Sequence, residues 1–294
     1  MKVLVLGKSG MLGSMLYNYL TYKDIEVYGT QKRDDKLPFY LNIEERYTNI
    51  KFMENISPEI DHIVNCIGVT KLDRSIIKNF RLGFYVNAVF PAYLQEFCSM
   101  HSIKLIHIST DAVFKGDDSN PYYENHICDG IGDYATSKVL GEIYASNVLN
   151  IRCSIVGNEI DRRNNLLEWF LSQKDGETLQ GYTNHIWNGV TTLQLSEFCY
   201  RIIKENMFDE ISNLTNVIHF SPNTPLTKFE LLCLFKEIYK KDVDIVPSRA
   251  KEDIKRVLNS RFACFYMGNN ECKRNIKGEI IKMKDFVKRY NITI

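Results

Sequence analysis

No stretch of this chain approaches the roughly 20 consecutive apolar residues that a bilayer-spanning helix needs, so a helical membrane protein is not expected. Charge of one sign is also missing. Thirty-seven Lys and Arg stand against 36 Asp and Glu, a formal net charge of +1, and nothing draws the chain to nucleic acid or an acidic membrane. The eight cysteines (Cys66, Cys98, Cys128, Cys153, Cys199, Cys233, Cys264 and Cys272) contain no CxxC, and most sit in apolar segments such as IVNCIG and LLCLF. That pattern argues against disulfides and structural metal and for buried thiols in a reducing cytoplasm. No His/Cys/carboxylate cluster suggests a metal ligand set, and there is neither an internal repeat nor a low-complexity tract. The opening MKVLVLGKSG has a lysine and a short apolar run, but glycines follow where a signal peptide would continue. It reads as a first β-strand.

What is present is ordinary globular material: 45% hydrophobic and 25% charged residues over 294 positions, enough for one large domain or two unequal ones. Through about residue 160, short apolar runs (KVLVLG, IEVYGT, HIVNCIG, KLIHIST, LNIRCSIVG) alternate with helical patterns, among them FYVNAVFPAYLQEFCSM. Continuous apolar strands separated by helices predict an α/β fold, a parallel Rossmann-type sheet with helices on both faces. Beyond that point the rhythm changes to shorter, turn-rich pieces, with helices capped by Thr191 or Thr192 and by Thr224 or Thr227. The expected organisation is a dinucleotide-binding unit over 1–160 and a smaller mixed α/β substrate-binding region over 161–294. Some segments of the latter are expected to return to the first unit.

Gly7, Gly10 and Gly13 form G-x-x-G-x-x-G between the first strand and a helix. No side chain obstructs a pyrophosphate there, and the helix start offers free N–H groups at its positive end. Lys8, Ser9, Met11 and Leu12 complete the candidate turn. The turn lacks the Lys-Ser/Thr of a P-loop, which argues against ATP hydrolysis. After the second strand, Lys32 and Arg33 suit a ribose 2′-phosphate, favouring NADPH, with NADH as the alternative if Asp34 or Asp35 takes the ribose. Asn42 and Ile43 are expected to flank the adenine. Cys66, Ile67, Gly68 and Asn87 are expected near the cofactor.

Tyr134 and Lys138 stand one helical turn apart in DYATSKVLGE. A free phenol has a pKa near 10, and a neighbouring ammonium would lower it toward a useful acid. Lys138 is expected to supply that charge and to grip the nicotinamide ribose. Thr110, closing KLIHIST, is expected to orient the substrate oxygen.

Taken in order, GKSGMLG, VNCIGVT, VNAVFPAYL, ISTDAVFKG, YATSKVLGE, IRCSIVG and PLTKFELLCLF resemble the blocks of the extended short-chain dehydrogenase/reductase superfamily, and within it the dTDP-4-dehydrorhamnose reductase family. The resemblance runs over nearly the whole chain. It implies a Rossmann domain with a smaller sugar-nucleotide domain, and NADPH-dependent reduction of a 4-keto sugar nucleotide in surface polysaccharide synthesis. Its catalytic Ser/Thr, Tyr and Lys fall on Thr110, Tyr134 and Lys138. By the same resemblance Asp111, Val113 and Phe114 would border the sugar. Ala135 replaces a usual glycine, NCIG replaces NAA, and GYTNHIWNGVTTLQL departs from the family's pattern, with Asn184, Trp187 and Asn188 as candidates for a distinct sugar or base pocket. The expected partner is a nucleotide-activated deoxy sugar, with a homodimer as an option, in the cytoplasm. Rival readings are a 4-epimerase or 4,6-dehydratase of the same fold, the latter weakened by Ala112 where an acidic pair would continue. A non-catalytic, NADP-binding subunit resembling the methionine adenosyltransferase beta subunit is the other.

Overall fold

Both faces of the first strand are covered, which is why its sequence does not alternate with polar residues. In the computed structural model, which describes residues 1–30, 59–70, 80–117, 120–159, 165–268 and 273–290, strand β1 spans Lys2–Leu6. Its Val3 and Val5 pack into one core with Leu12, Leu16 and Leu20, while Leu4 and Leu6 enter a second with Ile63, Val86, Phe90 and Leu94. Each such side chain contributes about 1.5–3 kcal/mol by leaving water.

Helix α1 (Met11–Tyr22) follows β1, then β2 (Glu26–Gly29) and β3 (His62–Asn65). A helical stretch comes next in three parts: α2 (Phe80–Phe84), a π-helical turn over Tyr85–Val89, and α3 (Phe90–Met100). Strand β4 (Lys104–Thr110), helix α4 (Asp133–Leu140) and strand β5 (Val148–Cys153) complete this part of the chain. The apolar pattern of LNIRCSIVG predicts one strand. The structure breaks it at Ser154, after which β6 (Ile155–Val156) leaves the main sheet and pairs with β9 (Val190–Thr191).

From the later region come α5 (Leu166–Leu171), β7 (Glu177–Tyr182), β8 (His185–Trp187), then α6 (Thr192–Lys204), α7 (Met207–Ser212) and β10 (Val217–His219). They are followed by β11 (Leu226–Thr227), α8 (Lys228–Tyr239), β12 (Val243–Ser248), β13 (Ile254–Arg256), α9 (Cys264–Met267) and α10 (Ile276–Arg289). Of the two candidate caps in each place, Thr191 and Thr227 are used, each in a reciprocal box with the residue three positions on, Gln194 and Glu230.

The main sheet is parallel throughout, in the order β10-β5-β4-β3-β1-β2. Strand β10 therefore joins it from far along the chain, and α6 contributes Leu195, Phe198, Cys199 and Ile202 to the core beneath β1. Smaller sheets, β11-β8-β13 and β12-β7, carry a further apolar cluster that reaches Met15 and Tyr19 of α1. The seven cysteines among the described residues are free thiols. No helix among the described residues is long and apolar enough to cross a membrane.

Chain order reverses at β1, with β2 on one side and β3 on the other, so a crevice opens at the carboxyl ends of β1 and β3. Gly7 and Cys66 lie just beyond those strand ends, and Thr110 lies at the end of the neighbouring β4.

Candidate active site

The glycine turn is built by backbone close approach. Gly7 adopts φ +79°, and a Cβ on Gly13 would stand 2.1 Å from the Gly7 carbonyl oxygen, so α1 can press against the strand end only with glycine there. Thr30, buried just after β2, accepts the Gly7 N–H on its hydroxyl at 2.9 Å and the Lys8 N–H on its carbonyl at 2.9 Å. Sequence reasoning gave Thr30 no role. Its signal was a small hydroxyl residue closing the second strand. Among the described residues no side chain caps α1, which leaves the helix's positive end facing the crevice. Lys8 lies with its ammonium 5.0 Å from the Tyr17 ring centre. Met11 can contribute through its backbone, and so can Leu12, whose side chain is buried in the core. Lys32, Arg33, Asn42 and Ile43 lie outside the described residues.

Across the crevice, Cys66, Ile67 and Gly68 follow β3. Ile67 is the nearest neighbour of the Gly7 α-carbon's open side, with its Cγ1 2.9 Å from where a Cβ would be. Asn87, expected near the cofactor, sits in the π-helical turn with its amide engaged by the protein itself. It exchanges hydrogen bonds with the Val69 backbone (2.9 and 3.0 Å) and donates to Ser137 Oγ at 3.1 Å. The widened turn also brings the Asn87 carbonyl so close to Gly141 that a Cβ there would stand 1.9 Å from it. Asn87 thereby fastens α4, which carries Tyr134 and Lys138, to the exit of β3.

Helix α4 begins at Asp133 because Gly132 takes φ +96°, a conformation open to glycine, and turns the chain into the helix. Thr110 ends β4, and its hydroxyl accepts the Ala112 N–H at 3.2 Å and donates to Asp111 Oδ1 at 3.2 Å. Burial pushes the Tyr134 phenol up to about 12, with a hydrogen bond to Thr110 pulling the other way. Sequence reasoning expects the ammonium of Lys138 to lower this phenol. In the structure desolvation is the larger effect, and Lys138, itself lowered to about 8 by burial, turns its Nζ to the Ile108 carbonyl at 2.7 Å.

Asp111 is held above the usual carboxylate range by burial, while Arg256, Lys228, Thr110 and Ser154 oppose the shift. Trp187 donates its indole N–H to Ser154 Oγ at 2.7 Å, and Lys228 lies over the Trp187 ring at 4.8 Å. Asp111, Ser154, Trp187, Lys228 and Arg256 therefore form one constellation beside Thr110 and Tyr134. Ser154, Lys228 and Arg256 escaped sequence reasoning because they come from three distant segments with no local motif.

Four residues expected at the substrate have side chains engaged by the protein itself. Val113 and Phe114 are fully buried in a cluster with Tyr122 and Leu258, Phe114 stacking on Tyr122 at 4.4 Å. Asn184 is bonded to the backbone of Ala250 and Glu252 and to Asp253. Asn188 exchanges hydrogen bonds with the Leu258 backbone at 2.7 and 2.9 Å. Both amides are buried because they tie the later segment to β8 and its following turn.

The residue types fit a dinucleotide: an unobstructed glycine turn, an uncapped helix start, and a lysine–tyrosine pair across the crevice. No group of three or more His, Cys, Asp or Glu suited to a metal ion occurs among the described residues. The family model described as "RmlD substrate binding domain" matches residues 1–282. The chain is 24% identical over 291 residues to the probable low-salt glycan biosynthesis reductase Agl14 of Haloferax volcanii, covering 92% of this chain and 91% of that protein. Its fold matches a dTDP-4-dehydrorhamnose reductase of Clostridium acetobutylicum with a TM-score of 0.80 at 20% identity, over 98% of this chain and 100% of the other. A dTDP-4-dehydrorhamnose reductase of Bacillus anthracis, crystallised in complex with NADP, matches with a TM-score of 0.75 at 20% identity, over 97% and 99% of the two chains.

Proposed function

The chain belongs to the RmlD substrate-binding domain family, and we propose that it uses NADPH to reduce the C4 keto group of a nucleotide-activated 4-keto-6-deoxy sugar for a surface polysaccharide. The observation that carries this reading is the meeting of Thr110, Tyr134 and Lys138 at the carboxyl end of β4, across the crevice from the glycine turn. The names of the relatives point the same way.

The backbone from Gly7 to Gly13 would hold the pyrophosphate, and Lys138 the nicotinamide ribose. NADPH, when bound, supplies the hydride. Thr110 aligns the carbonyl oxygen through its hydroxyl, and Tyr134 gives its phenolic proton to the alkoxide that forms. A high phenol pKa keeps that proton in place until the alkoxide, a stronger base, develops. Asp111 and Ser154, held in place by Trp187, line the side of the sugar, with Arg256 and Lys228 supplying positive charge for an anionic substrate.

The test is loss of reduced-nicotinamide absorbance with purified protein, NADPH or NADH, and a panel of 4-keto-6-deoxy sugar nucleotides. Oxidation that falls by about 10²–10⁴ in Tyr134→Phe is expected. No oxidation with any substrate, or conversion of a sugar nucleotide without consumption of NADPH, would sink the reading in favour of a binding protein or an epimerase.

A further inference from the structure

Behind Lys138 lies a buried histidine that the proposed chemistry does not use. His107 sits on β4, three residues before Thr110, and is 1% exposed. Its Nδ1 is 3.1 Å from Asn65 Nδ2, and its Nε2 is 3.5 Å from Lys138 Nζ. The Asn65 side chain is completely buried at the end of β3.

The orientation of the Asn65 amide follows from a third group. The backbone N–H of Ile67 donates to Asn65 Oδ1 at 3.1 Å. A flipped amide would set its NH₂ against that N–H, donor against donor. The NH₂ must therefore face His107, and the ring nitrogen it meets, Nδ1, must be the acceptor. Burial holds His107 well below its ordinary pKa, so the ring is neutral and carries one proton. With Nδ1 accepting, that proton lies on Nε2, the nitrogen turned toward Lys138.

An N–H aimed at Nζ meets an ammonium as donor against donor, but meets an amine as donor to lone pair. We infer that the Asn65–His107 pair is a positioning device that selects the amine form of Lys138, by presenting Nε2–H to its nitrogen. The other groups around Nζ do not duplicate this. The Ile108 carbonyl accepts from either form, Glu142 just beyond the end of α4 favours the ammonium, and Cys153 on β5 is a thiol whose proton burial holds in place. Tyr134, one turn back on the same helix, is likewise neutral at physiological pH.

The consequence for the reaction rests on the reductase reading. Each turnover takes the phenolic proton from Tyr134, and a proton given up by Lys138 restores it. Lys138 is left as an amine, which the Nε2–H of His107 stabilises until a proton from solvent regenerates the ammonium. His107 keeps its own proton throughout.

The experiment reads both residues directly. In protein labelled with ¹⁵N-histidine and ε-¹³C-lysine, the imidazole ¹⁵N shifts report the tautomer, and the ¹³C shift of Lys138, assigned with Lys138→Arg, reports its titration. The wild type is expected to show His107 protonated on Nε2. Asn65→Asp keeps the acceptor for Ile67 N–H but puts a carboxylate oxygen against Nδ1, which moves the ring proton to Nδ1 and makes Nε2 an acceptor. Lys138 should then titrate at least about one pH unit higher, a tenfold gain in proton affinity. The high-pH limb of kcat/KM should move with it. His107→Gln, whose amide can turn its oxygen to Nζ, should raise the Lys138 midpoint in the same direction and serves if Asn65→Asp does not fold. A wild-type ring protonated on Nδ1 would overturn the inference. So would an unmoved Lys138 midpoint in a folded variant. Both spectra are recorded without sugar, so failure of the reductase reading leaves this test intact, and failure here leaves turnover unexplained but real.

Discussion

Trp187 donates its indole N–H to the hydroxyl of Ser154 at 2.7 Å, and Ser154 stands where the chain leaves the main sheet between β5 and β6. The contact joins the later segments to the carboxyl end of the parallel sheet, at the residue that also bonds the Asp111 carboxylate. Trp187 is 4% exposed, so its role is to hold Ser154 and Asp111 in place rather than to offer a broad surface to a ligand.

Trp187→Phe keeps most of the ring but removes the donor. Loss of one buried hydrogen bond should cost about 1–2 kcal/mol of stability, read as a lower urea midpoint at unchanged slope. Steady-state kinetics should show KM for the sugar nucleotide raised with kcat little affected. An unchanged KM would separate Trp187 from the substrate site.

Glu142 and Arg152 form a two-point ion pair, Nε to Oε1 at 2.8 Å and Nη2 to Oε2 at 2.6 Å, and both side chains are almost wholly excluded from water. Ser109, the neighbour of Thr110, donates to the same carboxylate at 2.5 Å. Glu142→Met strands a guanidinium in the interior and should cost about 3–5 kcal/mol. Replacing both partners with apolar residues of similar volume should recover much of that loss. Denaturant melts of the two single variants and the double variant decide it.

The buried Lys138 makes stability depend on alkaline pH. Its folded value, about 8, lies below its ordinary 10.5. Below pH 8 the lysine is charged in both states, and folding carries the full cost of burying the charge. Between pH 8 and 10.5 the folded state releases the proton first, so the unfolded state binds more protons and stability rises with pH. Other groups titrate there too, so the measurement is the difference between wild type and Lys138→Met. The variant should be the more stable protein at pH 7, and that advantage should shrink from pH 8 to 10.5. A gap that stays constant would mean that Lys138 is not the titrating group.

Gly13→Ala places a Cβ 2.1 Å from a backbone oxygen that cannot rotate away. Helix α1 must shift off the strand end, carrying its N–H groups with it. NADPH affinity by calorimetry should drop at least about tenfold, some 1.4 kcal/mol, while Gly10→Ala, whose nearest neighbour is at 3.4 Å, should be milder.

The parallel sheet, the glycine turn and the placement of Thr110, Tyr134 and Lys138 were legible in the sequence because each rests on local rules. Apolar runs such as KLIHIST mark strands covered on both faces, glycine at fixed spacing marks close backbone approach, and a four-residue step places two side chains on one face of a helix. Which hydroxyl caps a helix, Thr191 rather than Thr192, depended only on where the first turn began. The internal contacts of Asn184, Asn188, Val113 and Phe114 were not legible. An amide or an aromatic ring looks the same in sequence whether it faces a ligand or a neighbouring loop, and burial decides between them. Tertiary structure alone brought together Asp111, Ser154, Trp187, Lys228 and Arg256, and set Asn65 and His107 behind Lys138. These residues come from separate strands and loops, and only the packing of the later segments against the sheet ends puts them within hydrogen-bonding or Coulombic reach. The protonation of the lysine and the phenol was decided there too, because desolvation depends on what surrounds a group and not on its neighbours in the chain.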